Sequence, residues 1–287
     1  MVEPVTVRDV LLDVQDRLRA NGIDTPELDA RLLLQAAMGL RHEDLIIEAA
    51  LSVSDQEREK LEAMVARRLA HEPVSRILGR RAFWNADFEV TTDTLDPRAD
   101  SETLVEGVLS HVDRTKPRAL LDLGTGTGCL LLSLLQELPR ATGLGIDVSA
   151  GAVETARRNA ESLRLADRVE FMEINWNDLT PSGSYDVVIG NPPYIAAADI
   201  ADLAPEVRDY DPLTALSGGA DGLDCYREIA ALLPAVLAEN GLVALEIGAA
   251  QAEDVKGILG KAGLVVLQTL TDLAGHDRCI IARWMRV

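Results

Sequence analysis

Residues 119–128 have the sequence ALLDLGTGTG, in which an apolar strand runs directly into a glycine-rich loop. A helix is predicted over residues 129–138, immediately after the loop. Glycines let the backbone approach a ligand closely, and the helix N-terminus adds unpaired N–H groups and a partial positive charge. Strands and helices continue to alternate beyond this point, which is typical of a parallel sheet. We therefore expect an α/β domain whose first loop binds a ligand.

The strand predicted over residues 143–146 ends at Asp147, a carboxylate about twenty residues beyond the start of the glycine loop. An acid at this position can accept hydrogen bonds from both ribose hydroxyls of a nucleoside. Nicotinamide and flavin proteins have a similar loop, but Cys129 stands where their fingerprint has glycine or alanine. The pattern favours a nucleoside without a pyrophosphate, and a tight turn that binds no ligand is the alternative.

The tetrapeptide Asn191-Pro192-Pro193-Tyr194 follows a predicted buried strand and should stand at the carboxyl edge of the sheet, where open α/β sheets bind ligands. The side-chain oxygen of Asn191 and the carbonyl of Pro192 are neighbouring acceptors, because Pro193 has no N–H. Together they can hold the two hydrogens of an –NH2 group while Tyr194 covers the planar group. We interpret them as catalytic and substrate-binding residues; the alternative is a proline-rich turn after a core strand.

Trp176 follows another predicted strand, over residues 168–172, at the same edge of the sheet. Its flat side chain is suited to cover an adenine ring, although a core tryptophan is the alternative. The loop over residues 196–222 is long enough to act as a lid over the substrate. Seven strands are predicted in all, over residues 119–123, 143–146, 168–172, 185–190, 241–247, 264–270 and 278–283.

The N-terminal part of the chain is predicted to be wholly helical. Thr6 with Asp9 and Ser54 with Glu57 are capping-box pairs that begin two of its four predicted helices. Aromatic residues then cluster in a predicted β-hairpin whose turn is residues 85–87. The predicted organisation is a helical bundle at residues 1–80, a hairpin linker at 81–93 and the α/β domain at 94–287.

Composition and charge restrict the class of function. The net charge of −19 over 287 residues argues against broad binding to nucleic acid, which needs a basic face. No segment resembles a signal peptide or a membrane span, and the three cysteines lack metal-ligand spacing, so we expect a reduced cytoplasmic protein. The arginine-rich segment 67–81 is either a solvated helix face, which we prefer, or a contact for an acidic or RNA-bound partner.

Several of these motifs together resemble the class I S-adenosylmethionine-dependent methyltransferases that modify planar nitrogens. They are the glycine loop with its preceding strand end at 122–128, Asp147, Asn175-Trp176 and the tetrapeptide 191–194. Over nearly its whole length the chain is more closely similar to the PrmC/HemK family. The further segments that carry this similarity are residues 72–73, 77–79, 83–84, 97–98, 211–216 and 272–278.

This resemblance implies a Rossmann-like, seven-stranded methyltransferase domain joined to a small helical domain that recognises the substrate. It implies that S-adenosyl-L-methionine is converted to S-adenosyl-L-homocysteine without a metal. The methyl acceptor would be the side-chain amide of the glutamine in the Gly-Gly-Gln motif of class-1 peptide chain release factors. The implied cofactor-binding residues are Gly124, Thr125, Gly126, Thr127, Gly128, Asp147, Trp176 and Asn191, and the implied glutamine-binding residues are Asn191, Pro192, Pro193 and Tyr194.

Three positions depart from the family pattern. Asp96 and Ala99 stand where the family has an isoleucine and a second proline, and Asn175 replaces an acid before the tryptophan. The competing functions are methylation of the exocyclic amine of adenine in nucleic acid and a cofactor-binding helper of translation without catalysis. The acidic charge disfavours the first, and the intact tetrapeptide disfavours the second. We expect a monomer that makes no direct contact with nucleic acid or membrane.

Overall fold

The computed structural model describes residues 5–47, 49–180 and 184–284, and these fall into two compact units that divide between Gly79 and Arg80. The hairpin predicted as a linker belongs to the second unit, because its aromatic side chains pack in that unit's core. Within the described residues, no helix has both the length and the apolar character needed to span a membrane.

The first unit is a bundle of helices around an apolar core. Both predicted capping boxes are confirmed, at Thr6 with Asp9 and at Ser54 with Glu57. The last helix was not predicted from the sequence, because its five residues are too few to show a period. The helices are α1 (Val7–Ala20), α2 (Pro26–Met38), α3 (His42–Ile47), α4 (Asp55–Leu69) and α5 (Val74–Leu78).

The arginine-rich segment is only partly a solvated surface. The side chain of Arg68 is buried, and its Nε donates to Asp29 of α2 at 2.7 Å. Arg67 is more exposed and donates to Glu72 and to the carbonyl of Ile77. The solvated-face interpretation is therefore wrong for Arg68, whose charge holds two helices of the bundle together.

Arg68→Met should lower the free energy of unfolding by about 3–5 kcal/mol, because it leaves the carboxylate of Asp29 buried without its cation. Thermal unfolding followed by circular dichroism measures the loss. The matched control is Arg58→Met on the exposed face of the same helix. Adding Asp29→Asn to Arg68→Met should recover most of the loss, and equal losses in Arg58→Met and Arg68→Met would contradict the prediction.

The second unit contains a hairpin and a seven-stranded sheet. The hairpin strands are β1 (Arg80–Phe83) and β2 (Ala86–Glu89). The sheet strands are β3 (Ala119–Leu123), β4 (Thr142–Asp147), β5 (Val169–Glu173), β6 (Tyr185–Gly190), β7 (Leu237–Glu246), β8 (Leu264–Thr271) and β9 (Asp277–Trp284). The longer helices are α6 (Glu102–His111), α7 (Cys129–Glu137), α8 (Ala150–Ser162), α10 (Asp224–Val236) and α11 (Ala252–Lys261), with the short α9 (Pro205–Arg208) between α8 and α10.

The strand order is β5-β4-β3-β6-β7-β9-β8, with β9 antiparallel to both of its neighbours and the other pairings parallel. Two separate apolar clusters cover the sheet. One contains side chains of α6, α7 and α8, and the other contains side chains of α10 and α11. This is the predicted Rossmann-like arrangement of helices on both sides of a mostly parallel sheet.

The hairpin turn differs from the predicted one. Ala86 pairs with Phe83, so the turn consists of Trp84 and Asn85 rather than residues 85–87. Trp84 has a φ of 54°, which closes the turn in two residues. The rings of Phe83 and Phe88 meet edge to face at a centroid distance of 6.1 Å.

Candidate active site

The site forms where three neighbouring parallel strands end at the same level. Leu123, the last residue of β3, is paired with Ile146 of β4 on one side and with Gly190 of β6 on the other. The next residues along the three chains are therefore brought together at the carboxyl edge of the sheet. These residues are Gly124, Asp147 and Asn191, all of which the sequence predicted to act together.

A cavity of about 300 Å³ opens at this edge. The predicted residues that line it are Gly124, Thr125, Gly126, Thr127, Asp147, Trp176, Asn191 and Pro193. The remaining predicted residues lie around it: Gly128 packs against Leu132 and Ala156, Pro192 is buried, and Tyr194 lines a smaller adjoining pocket.

The glycine loop is held by backbone hydrogen bonds to β4. The N–H groups of Gly124 and Thr125 both donate to the carbonyl of Ile146 at 2.9 Å. Gly124 and Gly126 have φ values of 73° and 55°, a region that favours glycine. A Cβ on Gly126 would meet no atom within 4 Å, so the loop backbone here borders open space.

The carboxylate of Asp147 is oriented by the loop itself. One of its oxygens accepts from the N–H of Gly126 and the other from the N–H of Ser149, each at 2.9 Å. Burial raises the pKa of Asp147, and the backbone donors oppose that effect. The N–H of Val148 is a third backbone donor to this carboxylate, which accepts about four hydrogen bonds when ionised and so keeps acceptor capacity for a ligand's hydroxyl.

A second carboxyl group lies beneath the loop. Asp122 is fully buried and accepts a hydrogen bond from the hydroxyl of Thr125 at 2.7 Å. Burial raises the pKa of Asp122 to about 7, against the favourable hydrogen bond from Thr125, and the nearby charge of Asp147 raises it further. This side chain thus holds the loop at the expense of keeping an acid in the core.

Asn159 of α8 joins the glycine loop to the hairpin. Its side-chain nitrogen donates to the carbonyls of Thr127 and Glu89, at 2.9 and 3.2 Å. Its side-chain oxygen accepts from the N–H of Glu89 at 2.7 Å. Nothing in the local sequence predicted this residue, because its partners are distant in the chain.

Trp176 is fixed at the cavity wall by a residue that the sequence did not predict. Its ring nitrogen donates to the carboxylate of Glu228 on α10 at 2.8 Å, and the amide of Asn177 donates to the same oxygen. Asn175, which replaces an acid in the family pattern, accepts from the N–H of Asn177 and also lines the cavity. The indole is therefore held in place while one side of it faces the cavity.

The tetrapeptide and the residue after it are held by Gln251 and by the end of the long loop that follows. The carbonyl of Tyr194 accepts from the side-chain amide of Gln251 at 2.9 Å, and Ile195 pairs with residues 216–218 through two backbone hydrogen bonds. Burial raises the pKa of Tyr194. Pro212, Thr214 and nearby residues of the loop line the cavity, so the predicted lid segment forms one of its walls.

Arg98 brings a positive charge to the site. Its side chain lines both the cavity and the smaller pocket, and it lies 3.5 Å from the buried carboxylate of Asp211. The backbone N–H of Asp96 also donates to Asp211. Asp211 thus holds the segment that contains Asp96 and Ala99, the two departures from the family pattern, against the cavity.

Two thiols also line the cavity but are poor nucleophiles. Burial raises the pKa of Cys129 to about 12 and that of Cys225 to about 11. Both are free cysteines and remain protonated at neutral pH. Neither thiol is therefore suited to act as a nucleophile.

Comparison with known proteins agrees with this fold. Residues 9–79 match the PrmC N-terminal domain, and residues 98–206 match the methyltransferase small domain. A methyltransferase from Pyrococcus furiosus has a similar fold, with a TM-score of 0.50, 16% identity and coverage of 78% of this chain and 98% of that one. The fold and the glycine-loop site define a class I methyltransferase.

Curated relatives identify the family within that class. A release factor glutamine methyltransferase of Rhodospirillum rubrum is 48% identical over 93% of this chain and 82% of its own length. Another from Agrobacterium fabrum is 42% identical over 97% of both chains. The chain belongs to the release factor glutamine methyltransferase family.

Asp122→Asn should change how stability depends on pH. The pKa of the buried acid is about 7 and is raised from a value near 4 in the unfolded chain, so wild-type stability from this group is complete below about pH 4 and is lost as the pH rises through 7. Asparagine retains an acceptor for Thr125 but does not titrate. The variant should therefore gain stability relative to the wild type between pH 5 and pH 8.

Thermal unfolding of both proteins at pH 5, 6.5 and 8 tests this expectation. Each unit by which the pKa is raised corresponds to about 1.4 kcal/mol. Parallel dependence on pH in the two proteins would show that Asp122 does not titrate in this range.

Proposed function

We propose that this protein transfers a methyl group from S-adenosyl-L-methionine to the side-chain amide nitrogen of the glutamine in the Gly-Gly-Gln motif of class-1 peptide chain release factors. The observation that carries the proposal is the position of Asn191, which stands at the edge of the donor cavity beside the glycine loop. Family membership supports the choice of glutamine as acceptor.

The residues present fit the donor. The carboxylate of Asp147 at the cavity wall keeps acceptor capacity for a ribose hydroxyl, and the fixed indole of Trp176 offers a flat surface for the adenine. The guanidinium of Arg98 at the cavity wall suits the carboxylate of the amino-acid end. When bound, S-adenosylmethionine supplies a methyl group on a cationic sulfur, which makes that carbon electrophilic.

The acceptor half of the site has the chemistry to orient an amide. The side-chain oxygen of Asn191 and the carbonyl of Pro192 would each hold one hydrogen of the glutamine amide, which directs the nitrogen lone pair toward the donor cavity. Tyr194 and Pro193 would flank the planar group and exclude water. Alignment and exclusion of water are the contributions of these residues, and neither needs a metal or a covalent intermediate.

We assign recognition of the release factor to the first unit, because none of the residues described in that unit lines the cavity. Several apolar side chains of this unit are exposed, among them Leu12, Leu28 and Ile47, and Ile47 is 78% exposed. Such side chains suit contact with a protein substrate. We expect the enzyme to act as a monomer in the cytoplasm, where its substrate works.

A methyl-transfer assay with labelled S-adenosylmethionine tests the function. The acceptors offered in parallel are a purified release factor, its Gln→Ala variant in the Gly-Gly-Gln loop, and duplex and single-stranded nucleic acid. Label in the wild-type release factor alone is the expected result. Label in nucleic acid would move the acceptor to the exocyclic amine of adenine, and cofactor binding without any transfer would favour a non-catalytic helper.

Asn191→Ala should lower kcat by at least about a hundredfold, which is the usual effect of removing one preorganised polar group from a transition state. The cofactor dissociation constant, measured by calorimetry, should change little, because the glycine loop, Asp147 and Trp176 remain. Asn85→Ala in the hairpin turn removes the same side chain from an exposed position and serves as control. A loss confined to cofactor affinity would contradict the assigned role.

A further inference from the structure

A small pocket adjoins the donor cavity, and Asn191 lies at the boundary between them. The pocket has a volume of about 10 Å³, close to that needed for one water molecule. Its polar side chains are those of Asn191, Tyr194, Arg98 and Glu246. Glu246 has no part in the function proposed above.

The strand register places Glu246 beside Asn191. Gly190 of β6 is paired with Leu245 of β7, so the residues that follow them stand at the next level of two adjacent parallel strands. Neighbouring strands lie about 4.8 Å apart, and side chains at one level of a parallel pair point to the same face. The carboxyl of Glu246 and the carboxamide of Asn191 therefore reach the pocket from adjacent positions.

Glu246 is a buried acid with an uncommitted oxygen. Its side chain is 2% exposed, and among the described residues its Oε2 atom has no hydrogen-bond partner. The hydroxyl of Ser101 donates to the carboxylate, and the positive charges of Arg98 and Arg278 also favour the ionised form. A buried acceptor without a hydrogen bond costs free energy of folding, so this oxygen needs an explanation in terms of a water or a function.

Asn191 needs an acceptor on the side away from the substrate. A carboxamide can flip, and the two orientations exchange an acceptor oxygen for a donor nitrogen. Only the orientation with Oδ1 toward the substrate can accept a hydrogen of the glutamine amide. The opposite orientation would present Nδ2 donors to the substrate's own N–H groups.

We propose that Glu246 is a positioning residue that accepts a hydrogen bond from Nδ2 of Asn191 through one water in the small pocket, and so keeps Oδ1 directed at the substrate amide. This inference rests on the proposed role of Asn191. It assigns to Glu246 no contact with the substrate. The ionised carboxylate is the competent form, because protonation would turn one of its two acceptor oxygens into a donor.

The charge state of Glu246 responds to its surroundings within the working pH range. Burial raises its pKa to about 7, while Ser101, Arg98 and Arg278 lower it and Asp100 raises it. We therefore expect kcat of the wild-type enzyme to rise as the pH increases through about 7. The titratable groups on the elements packed around Glu246 are Tyr194, Arg98, Asp100, Arg278, Cys279, Tyr226 and Cys129.

Glu246→Gln tests the proposal with a side chain of the same shape. We expect kcat at pH 8 to fall about tenfold, the effect of about 1.4 kcal/mol in the barrier. The dissociation constant of S-adenosylmethionine should stay within about twofold, and the rise of kcat near pH 7 should disappear. Glu253→Gln makes the same chemical change at a position that is exposed on α11 and is the control.

A double-mutant cycle with Asn191→Ala separates this role from others. If Glu246 acts only through Asn191, Glu246→Gln should have no further effect on kcat in the Asn191→Ala background. An equal loss in both backgrounds, or an unchanged kcat in the single variant, would overturn the inference. A wild-type kcat that is flat between pH 6 and pH 8 would overturn it as well, and this measurement needs no variant to fold.

The outcomes also separate this inference from the proposed function. Full turnover in Asn191→Ala would remove the assigned role of Asn191 and the inference with it. Slow turnover in Asn191→Ala together with wild-type turnover in Glu246→Gln would remove the inference alone.

Discussion

The parallel register of three central strands is the constraint on which the site depends. Leu123 is paired on one side with Ile146 and on the other with Gly190, so three chains leave the sheet at one level. The glycine loop, Asp147 and Asn191 are then neighbours although they are far apart in sequence. No single hydrogen bond assembles them; the alignment of the backbone does so, and the apolar clusters on both sides of the sheet maintain that alignment.

Two acidic side chains are buried beneath this edge of the sheet, and their burial costs free energy of folding. Asp122 and Glu246 are acids in a nearly water-free environment, and each has a pKa near 7 because burial disfavours its charge. The core would tolerate apolar residues at both positions more easily. At Asp122 the stability lost is offset by the hydrogen bond that holds Thr125 of the glycine loop.

The sequence predicted the parts of the site that have local signatures. Strands followed by glycines, prolines or an acid identified the glycine loop, Asp147 and the tetrapeptide, because each signal lies within a few residues. Glu246 has no such signal: it ends an apolar strand, and only the pairing of the preceding residue, Leu245, with Gly190 places it beside Asn191. Glu228 and Asn159 were missed for the same reason. The hairpin turn was misplaced because Trp84 adopts a backbone conformation that is uncommon for an aromatic residue.

Asn159 makes the hairpin intolerant of insertions. Its two hydrogen bonds to the backbone of Glu89 and its bond to the carbonyl of Thr127 require β2 to keep one alignment with the glycine loop. One extra residue within β2 would turn each backbone group to the other side and leave the side chain of Asn159, which also holds Thr127 of the glycine loop, without its two partners on Glu89. Such an insertion would leave the seven-stranded sheet intact and appear first as weaker binding of the methyl donor. The hairpin, which looks like a connector in the sequence, therefore helps to hold the glycine loop in place.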